Sequence, residues 1–435
     1  MEGMYTLTAP KPSLPMIKTK IDYKLPFILI TSMFFMWGLA NNMTDTLLAA
    51  FKKIMSMSDF QTSWIQVAFY GSYFCLALPA ALVTRKFDYK TGVLIGLGMF
   101  IGGALLFYPA SQTMVYGHFL VALFVLAGGL SILETSANPY IIRMGPPETG
   151  IQRLNLAQSF NPIGSITGVL LSKFFILSQL DQASEEERAA LSPAQLESIQ
   201  QAELSAVMGP YIGIALLLFM IWLMIYFTRM PKGSDRAERD SLRTIFTRLF
   251  KNINYKWGVV AQFFYVGAQI GVWSFTIRYV MKELGLDESD AATYYLASLV
   301  LFTASRFVCT ALLNYIRAEK LLALCALGAI VCCLVVVVFS GFTGVIALVL
   351  ISGFMSLMFP TIFGLTITGL GDDTKIGGSG LIMAILGGAV LTAVQGTVSD
   401  ITSSIKLAFL VPAMCFLVIF IYGLKSMSLS TKPTK

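Results

Sequence analysis

The chain has 435 residues, of which 56% are hydrophobic and 13% charged, against about a quarter charged in soluble domains, so a soluble globular protein is excluded. The net charge of +7 and pI near 9.0 do not mark a nucleic-acid binder, because the lysines and arginines are dispersed between apolar runs rather than gathered in a patch. The class implied is an all-α polytopic membrane protein.

Residues 1–24 are polar, carry Pro10, Pro12 and Pro15, and lack the short apolar core of a secretory signal. They read as a tail. A membrane crossing needs about 20 apolar residues. Twelve such runs follow, at roughly 25–51, 60–84, 91–111, 114–142, 152–179, 208–229, 257–282, 290–316, 320–340, 344–370, 376–400 and 406–425. Several exceed the length required, which implies tilt or breakage.

The first run holds an acid, Asp45, crowded by Asn41, Asn42 and Thr44, with Trp37 eight residues earlier. The fourth holds Glu134, followed by Thr135, Ser136 and Asn138. A charge at the centre of a membrane helix costs about 2.5–3.5 kcal/mol even on lenient scales, so such residues face a cavity or a partner and mark a solute or ion path. In the fifth run Asn155, Gln158 and Asn161 recur every three residues and share one side of a helix. Carboxamides both donate and accept, matching the hydroxyls of a sugar. Residues 180–207 are acidic and amphipathic and read as a short surface helix on the outer side. Residues 230–256 are strongly charged and divide the runs six and six.

In the seventh run Gln262, Gln269 and Trp273 fall on one face, where an indole can stack on a pyranose and amides can take its hydroxyls. Gly164 with Gly168, Gly98 with Gly102, and Gly387 with Gly388 read as close helix contacts. Arg278 reads as snorkelling outward beside Lys282, and Arg306 as a cap or pair near the cytoplasmic side. The six cysteines lie in apolar runs without metal-ligand spacing, and His118 is the single histidine.

The two halves resemble each other weakly. Asn138-Pro139-Tyr140 is followed by a charged loop and a small-residue helix, and Phe359-Pro360-Thr361 is followed by Asp372-Asp373-Thr374-Lys375 and Gly377-Gly378-Ser379-Gly380. Two pseudo-symmetric six-helix bundles around a midplane site follow from such repeats. The organisation expected is a cytoplasmic tail at 1–24, bundles at 25–229 and 257–425, a cytoplasmic linker at 230–256 and a tail at 426–435. With both termini in the cytoplasm, 23 lysines and arginines lie inside and six outside, as the positive-inside rule requires.

No phosphate-binding glycine loop, nucleophile elbow or metal motif is present. An enzyme, a nucleotide-driven pump, a cofactor and a metal site are therefore not expected. An ion gradient of protons or sodium remains as the driving force, worth about 2.3 kcal/mol per charge per 100 mV.

The chain resembles the fucose–galactose–glucose:proton symporter family of the major facilitator superfamily, from about Pro26 to Tyr422. The segments that carry the resemblance are Gly38–Asn42 through Asp45, Ser63–Tyr70, Leu133–Pro139, Arg153–Asn161 and Tyr265–Gln269. It implies that Asp45 and Glu134 are the protonatable pair and that Asn42, Gln158 and Asn161 face the sugar. The chain has Thr44 where L-fucose carriers of the family have Asn, and Phe359 where they have Tyr. The function expected is a proton-coupled symporter importing a monosaccharide, L-fucose or a related sugar, by alternating access. Alternatives are another hexose (glucose, galactose or N-acetylglucosamine) and drug/proton antiport. Asp45 and Glu134 would couple protons, and Asn42, Gln158, Asn161, Gln269, Trp273 and Trp37 would bind sugar. The partners expected are the monosaccharide, the proton and the lipid bilayer, with no nucleic acid, for a monomer in the bacterial cytoplasmic (inner) membrane.

Overall fold

The computed structural model describes residues 24–54, 59–175, 191–230 and 240–430, with side chains at all of these except 44–54, 59–63, 66, 173, 193, 197, 205–207 and 429–430. Lipid offers no hydrogen-bond partner to a backbone, so a spanning chain of this composition satisfies its own amides as helices. The first half runs α1 (Lys24–Ile54), α2 (Asp59–Lys86), α3 (Tyr89–Thr113), α4 (Tyr116–Arg143), α5 (Gly150–Gln158), α6 (Phe160–Phe175) and α7 (Pro193–Phe227). A short helix, α8 (Leu242–Lys251), precedes the second half. That half runs α9 (Ile253–Leu284), α10 (Glu288–Leu312), α11 (Ala318–Val338), α12 (Phe342–Met355), α13 (Met358–Ile367), α14 (Thr374–Met383), α15 (Gly387–Thr402) and α16 (Leu410–Ser430).

Among the described residues, eleven helical stretches are long and apolar enough to cross a membrane. The twelfth crossing is α5–α6, split at Ser159 into pieces of 9 and 16 residues that are each too short to span. α12–α13 and α14–α15 make single interrupted crossings in the same way. The same pairings recur six crossings apart. α1 packs on α6 as α9 packs on α15, α3 on α4 as α11 on α12, and α3 on α7 as α11 on α16. Two pseudo-symmetric six-helix bundles result.

Small residues decide how closely these helices approach, because lipid is as apolar as leucine and does not drive them together. A Cβ added at Gly38 would sit 1.9 Å from the carbonyl oxygen of Asn161, and one at Gly164 would sit 1.9 Å from that of Phe35. Gly387 meets the Phe263 carbonyl as tightly. Gly98 and Gly102, expected to make a similar contact, do not. Gly102 has nothing within 4 Å of an added Cβ, and Gly98 only the Trp222 indole at 4.0 Å. Gly96 and Gly103 seat α3 on α4 instead, with the Leu126 backbone 2.4 Å from a Cβ at Gly103.

Two loop expectations change. Of the acidic 180–207 stretch, the described part from Pro193 is the start of the continuous 35-residue α7, opened by a Ser192–Gln195 capping box, and not a separate surface helix. Within 230–256, α8 is helical and α9 already begins at Ile253. α8 buries Ile245 and Leu249 against Ala81, Tyr255 and Ile376, while Arg248 bridges Asp240 and Asp373. The membrane face on which α1 begins and α16 ends also carries Arg85, Lys90, Arg143, Arg248 and Lys425, and is called the basic face below.

Candidate functional site

A cavity of about 1080 Å³ lies between the bundles. Its lining reaches Arg278 on α9 and Asp400 on α15, near the ends of those helices farthest from the basic face, so it opens away from that face. Towards the basic face it stops at Glu134, Gln158, Arg306 and Phe359. Below them the bundles are in contact. Asn155 Nδ2 donates to Thr361 Oγ1 at 3.2 Å, Gln152 Nε2 to Asn314 Oδ1 at 2.8 Å, and Arg143 Nη2 to the Gly371 carbonyl at 2.9 Å.

Seven of the eight residues expected to form the site line this cavity: Trp37, Asn42, Glu134, Gln158, Asn161, Gln269 and Trp273. The side chain of the eighth, Asp45, lies outside the described residues, so its separation from Glu134 is not on view. The Gly38–Gly164 contact explains much of this assembly. It presses α1 onto α6 and sets Trp37 and Asn42 beside Asn161, whose Nδ2 donates to the Phe34 carbonyl at 3.2 Å.

Glu134 is 2% exposed, and its Oε2 has no hydrogen-bond donor. The Tyr73 hydroxyl on α2 faces the Glu134 carboxyl and the Trp37 indole together. Gln158 is 5% exposed, and its Nε2 donates to Asn138 Oδ1 at 2.9 Å. Trp273 donates from its indole nitrogen to Ser352 Oγ at 3.2 Å and meets Phe302 edge-on, with centroids 5.0 Å apart. Each bundle thus brings both amide and aromatic side chains to the space, with a single described carboxyl, Glu134, at depth.

Gln262 does not join Gln269 and Trp273. It is fully buried, lines no part of the cavity, and neither atom of its amide has a partner. Gln262 lies two turns nearer the basic face than Gln269, below the cavity floor. Of the cap and the pair expected for Arg306, the structure has the pair: it is 4% exposed at the floor, where Nε donates to the Ser356 carbonyl at 2.5 Å and Nη1 to the Gln158 carbonyl at 3.1 Å. Its guanidinium lies 4.5 Å from the Phe302 ring centroid. Arg278 turns to the cavity mouth and stacks on Phe275 at 4.4 Å.

Tyr73 was not singled out from sequence. Its signal is weak, since Tyr70 and Tyr73 three apart in an apolar run read equally as packing.

A family model describing the Major Facilitator Superfamily matches residues 27–391. The chain belongs to the Major Facilitator Superfamily. Within the superfamily it is 40% identical over 415 residues to the L-fucose-proton symporter of Haemophilus influenzae, covering 92% of this chain and 96% of that protein. It is 34% identical over 405 residues to a glucose/galactose transporter of Brucella abortus, covering 93% and 94%. The crystal structure of the superfamily transporter FucP in the outward conformation matches with a TM-score of 0.88 at 40% identity, over 93% of this chain and 99% of that one. The superfamily fold places the cavity at the seam of its two bundles, where relative rocking can expose it to either face.

Proposed function

We propose that this chain is a proton-coupled symporter that carries a monosaccharide, L-fucose or a related sugar, across the bacterial cytoplasmic membrane by alternating access. The observation that carries the reading is the pairing, in one cavity, of a buried carboxyl with amides and indoles. Glu134 takes and gives up the proton, Gln158, Asn161, Asn42 and Gln269 bond the sugar hydroxyls, and Trp37 and Trp273 meet its apolar faces. Asp45 is the second proton-coupling residue, and the protein works as a monomer. The chain's similarity to the L-fucose-proton symporter of Haemophilus influenzae and to FucP agrees with this chemistry.

The basic face lies in the cytoplasm under the positive-inside rule, so both termini are cytoplasmic and the cavity opens outward. In this orientation proton and sugar load together from outside. The chain moves its solute unchanged rather than acting on it as an enzyme. A second reading, glucose or galactose as substrate, has the Brucella abortus relative in its favour. Phe359 supplies a ring to the cavity wall but no hydroxyl.

Purified protein in liposomes, energised by an inward proton gradient, tests this against labelled L-fucose, L-galactose, D-arabinose, D-glucose and N-acetylglucosamine. Accumulation of L-fucose that collapses with a protonophore is expected. Accumulation of none of the five, or accumulation indifferent to the proton gradient, refutes the proposal.

A further inference from the structure

The carboxamides of α5 and the start of α6 form a longer series than the cavity uses. Gln152, Asn155, Gln158 and Asn161 recur every three residues and run from the basic face to the cavity. At three of these levels α5 touches the second bundle: Gln152 bonds Asn314, Asn155 bonds Thr361, and the Gln158 carbonyl accepts from Arg306.

Asn155 lies one level below the cavity floor and is fully buried, as are Asn138, Ser356 and Thr361. This layer is incompletely bonded. Asn155 Oδ1 and Asn138 Nδ2 have no partner although they are closed off from solvent. A contact needed only to hold the bundles shut is better built from apolar side chains, because orphaned polar atoms weaken it. The related helix of the second bundle supplies the comparison. α14, like α5, follows a one-turn 3-10 element, Gly371–Asp373 against Pro147–Thr149. Counted from the first helical residue, the α14 stretch has Ile376, Ser379, Ile382 and, just past its end, Ile385 where α5 has Gln152, Asn155 and Gln158 and α6 has Asn161. The amides are therefore not demanded by the architecture.

We infer that Asn155 is a sugar-binding residue of the state open to the basic face, forming a transit subsite for a polyhydroxylated monosaccharide one helical level beneath the main cavity. When the bundles part on that side, Asn155 Nδ2 loses Thr361 and keeps its bond to the Ile151 carbonyl one turn back, leaving its second N–H and the unpartnered Oδ1 to face the opened passage. A hydroxyl-rich solute leaving Gln158 meets Asn155 next, about 4.5 Å further along the helix axis. This rests on the transporter reading above.

The subsite and a plain gate act in opposite directions. Losing a gate bond favours opening on the basic face, so half-saturation measured from that face falls or stays the same. Losing a sugar contact there raises it. Radiolabelled L-fucose exchange, with the proton gradient collapsed, is measured in intact cells and in everted vesicles for wild type, Asn155→Ala and Thr361→Val. Thr361→Val breaks the gate bond while leaving Asn155 in place. Asn155→Ala should raise half-saturation from the basic face about fivefold or more relative to Thr361→Val, while the two variants agree within twofold from the other face. Equal half-saturation of the two variants at the basic face overturns the subsite. If Asn155→Ala is not recovered in the membrane, Asn155→Ser is read by the same criterion. Failure of wild type to exchange L-fucose counts against the transporter reading and is distinguishable from either result.

Discussion

Gln158→Ala is the cleanest probe of the sugar site, because the structure separates its two roles. The main-chain carbonyl accepts from Arg306 and survives the substitution, while the amide, which donates to Asn138 at 2.9 Å, is removed. Gln158 is 5% exposed at the cavity edge, so truncating it opens Asn138 to cavity water, and the cost to the empty protein stays near the low end for a lost neutral bond, about 0.5–1.5 kcal/mol. In the sugar complex the water is displaced, and a hydroxyl that bonded the amide is left buried and unpaired. That costs about 1–3 kcal/mol, or roughly a 5- to 150-fold weaker dissociation constant. Equilibrium binding of L-fucose to the purified protein measures it, with thermal stability recorded in parallel. Asn161→Ala should weaken binding comparably, but its amide also ties α6 to the Phe34 carbonyl of α1, so part of its effect comes through packing. Binding unchanged within a factor of two in both variants would return these amides to a structural role.

Glu134→Gln should abolish gradient-driven accumulation while leaving sugar counterflow measurable, since exchange needs no net proton movement; a variant that still concentrates sugar refutes Glu134 as an obligatory carrier. Asp45→Asn should block counterflow as well, because by residue count the two acids lie roughly 20 Å apart along the membrane normal and serve different conformations. Identical behaviour of the two variants, or a structure with the carboxyls in hydrogen-bonding distance, removes that division. Gly164→Ala should lower the melting temperature, the added methyl falling 1.9 Å from the Phe35 carbonyl and costing about 1–3 kcal/mol. Gly102→Ala, with nothing within 4 Å, should leave it unchanged, and equal melting of the two would refute the contact argument.

The membrane class, the twelve crossings, the doubled six-helix plan and seven of the residues that line the cavity could be read from the chain. Hydrocarbon imposes its demands locally: a run is apolar for 20 residues or it is not, and an acid or a row of amides inside one is costly enough to need a reason. Glu134, Gln158 and Asn161 were legible on that ground, whereas Asn155 of the same series lies one level below the cavity floor. What sequence spacing could not supply was depth and partner. Gln262 and Gln269 share an angular face, yet one is sealed below the floor and the other lines the cavity, because the bundles close on the basic side and part on the other. Gly98 and Gly96 are equally small, and only the crossing of α3 with α4 selects Gly96. Arg306 reads from sequence as a cap or a pair, and only the carbonyls of Ser356 and Gln158, from opposite bundles, decide for the pair and give its guanidinium a buried seat. Tyr73 gained a role only when α2 was laid beside α4. Periodicity along one helix reports which side a residue faces, whereas what stands opposite depends on how two distant stretches of chain cross.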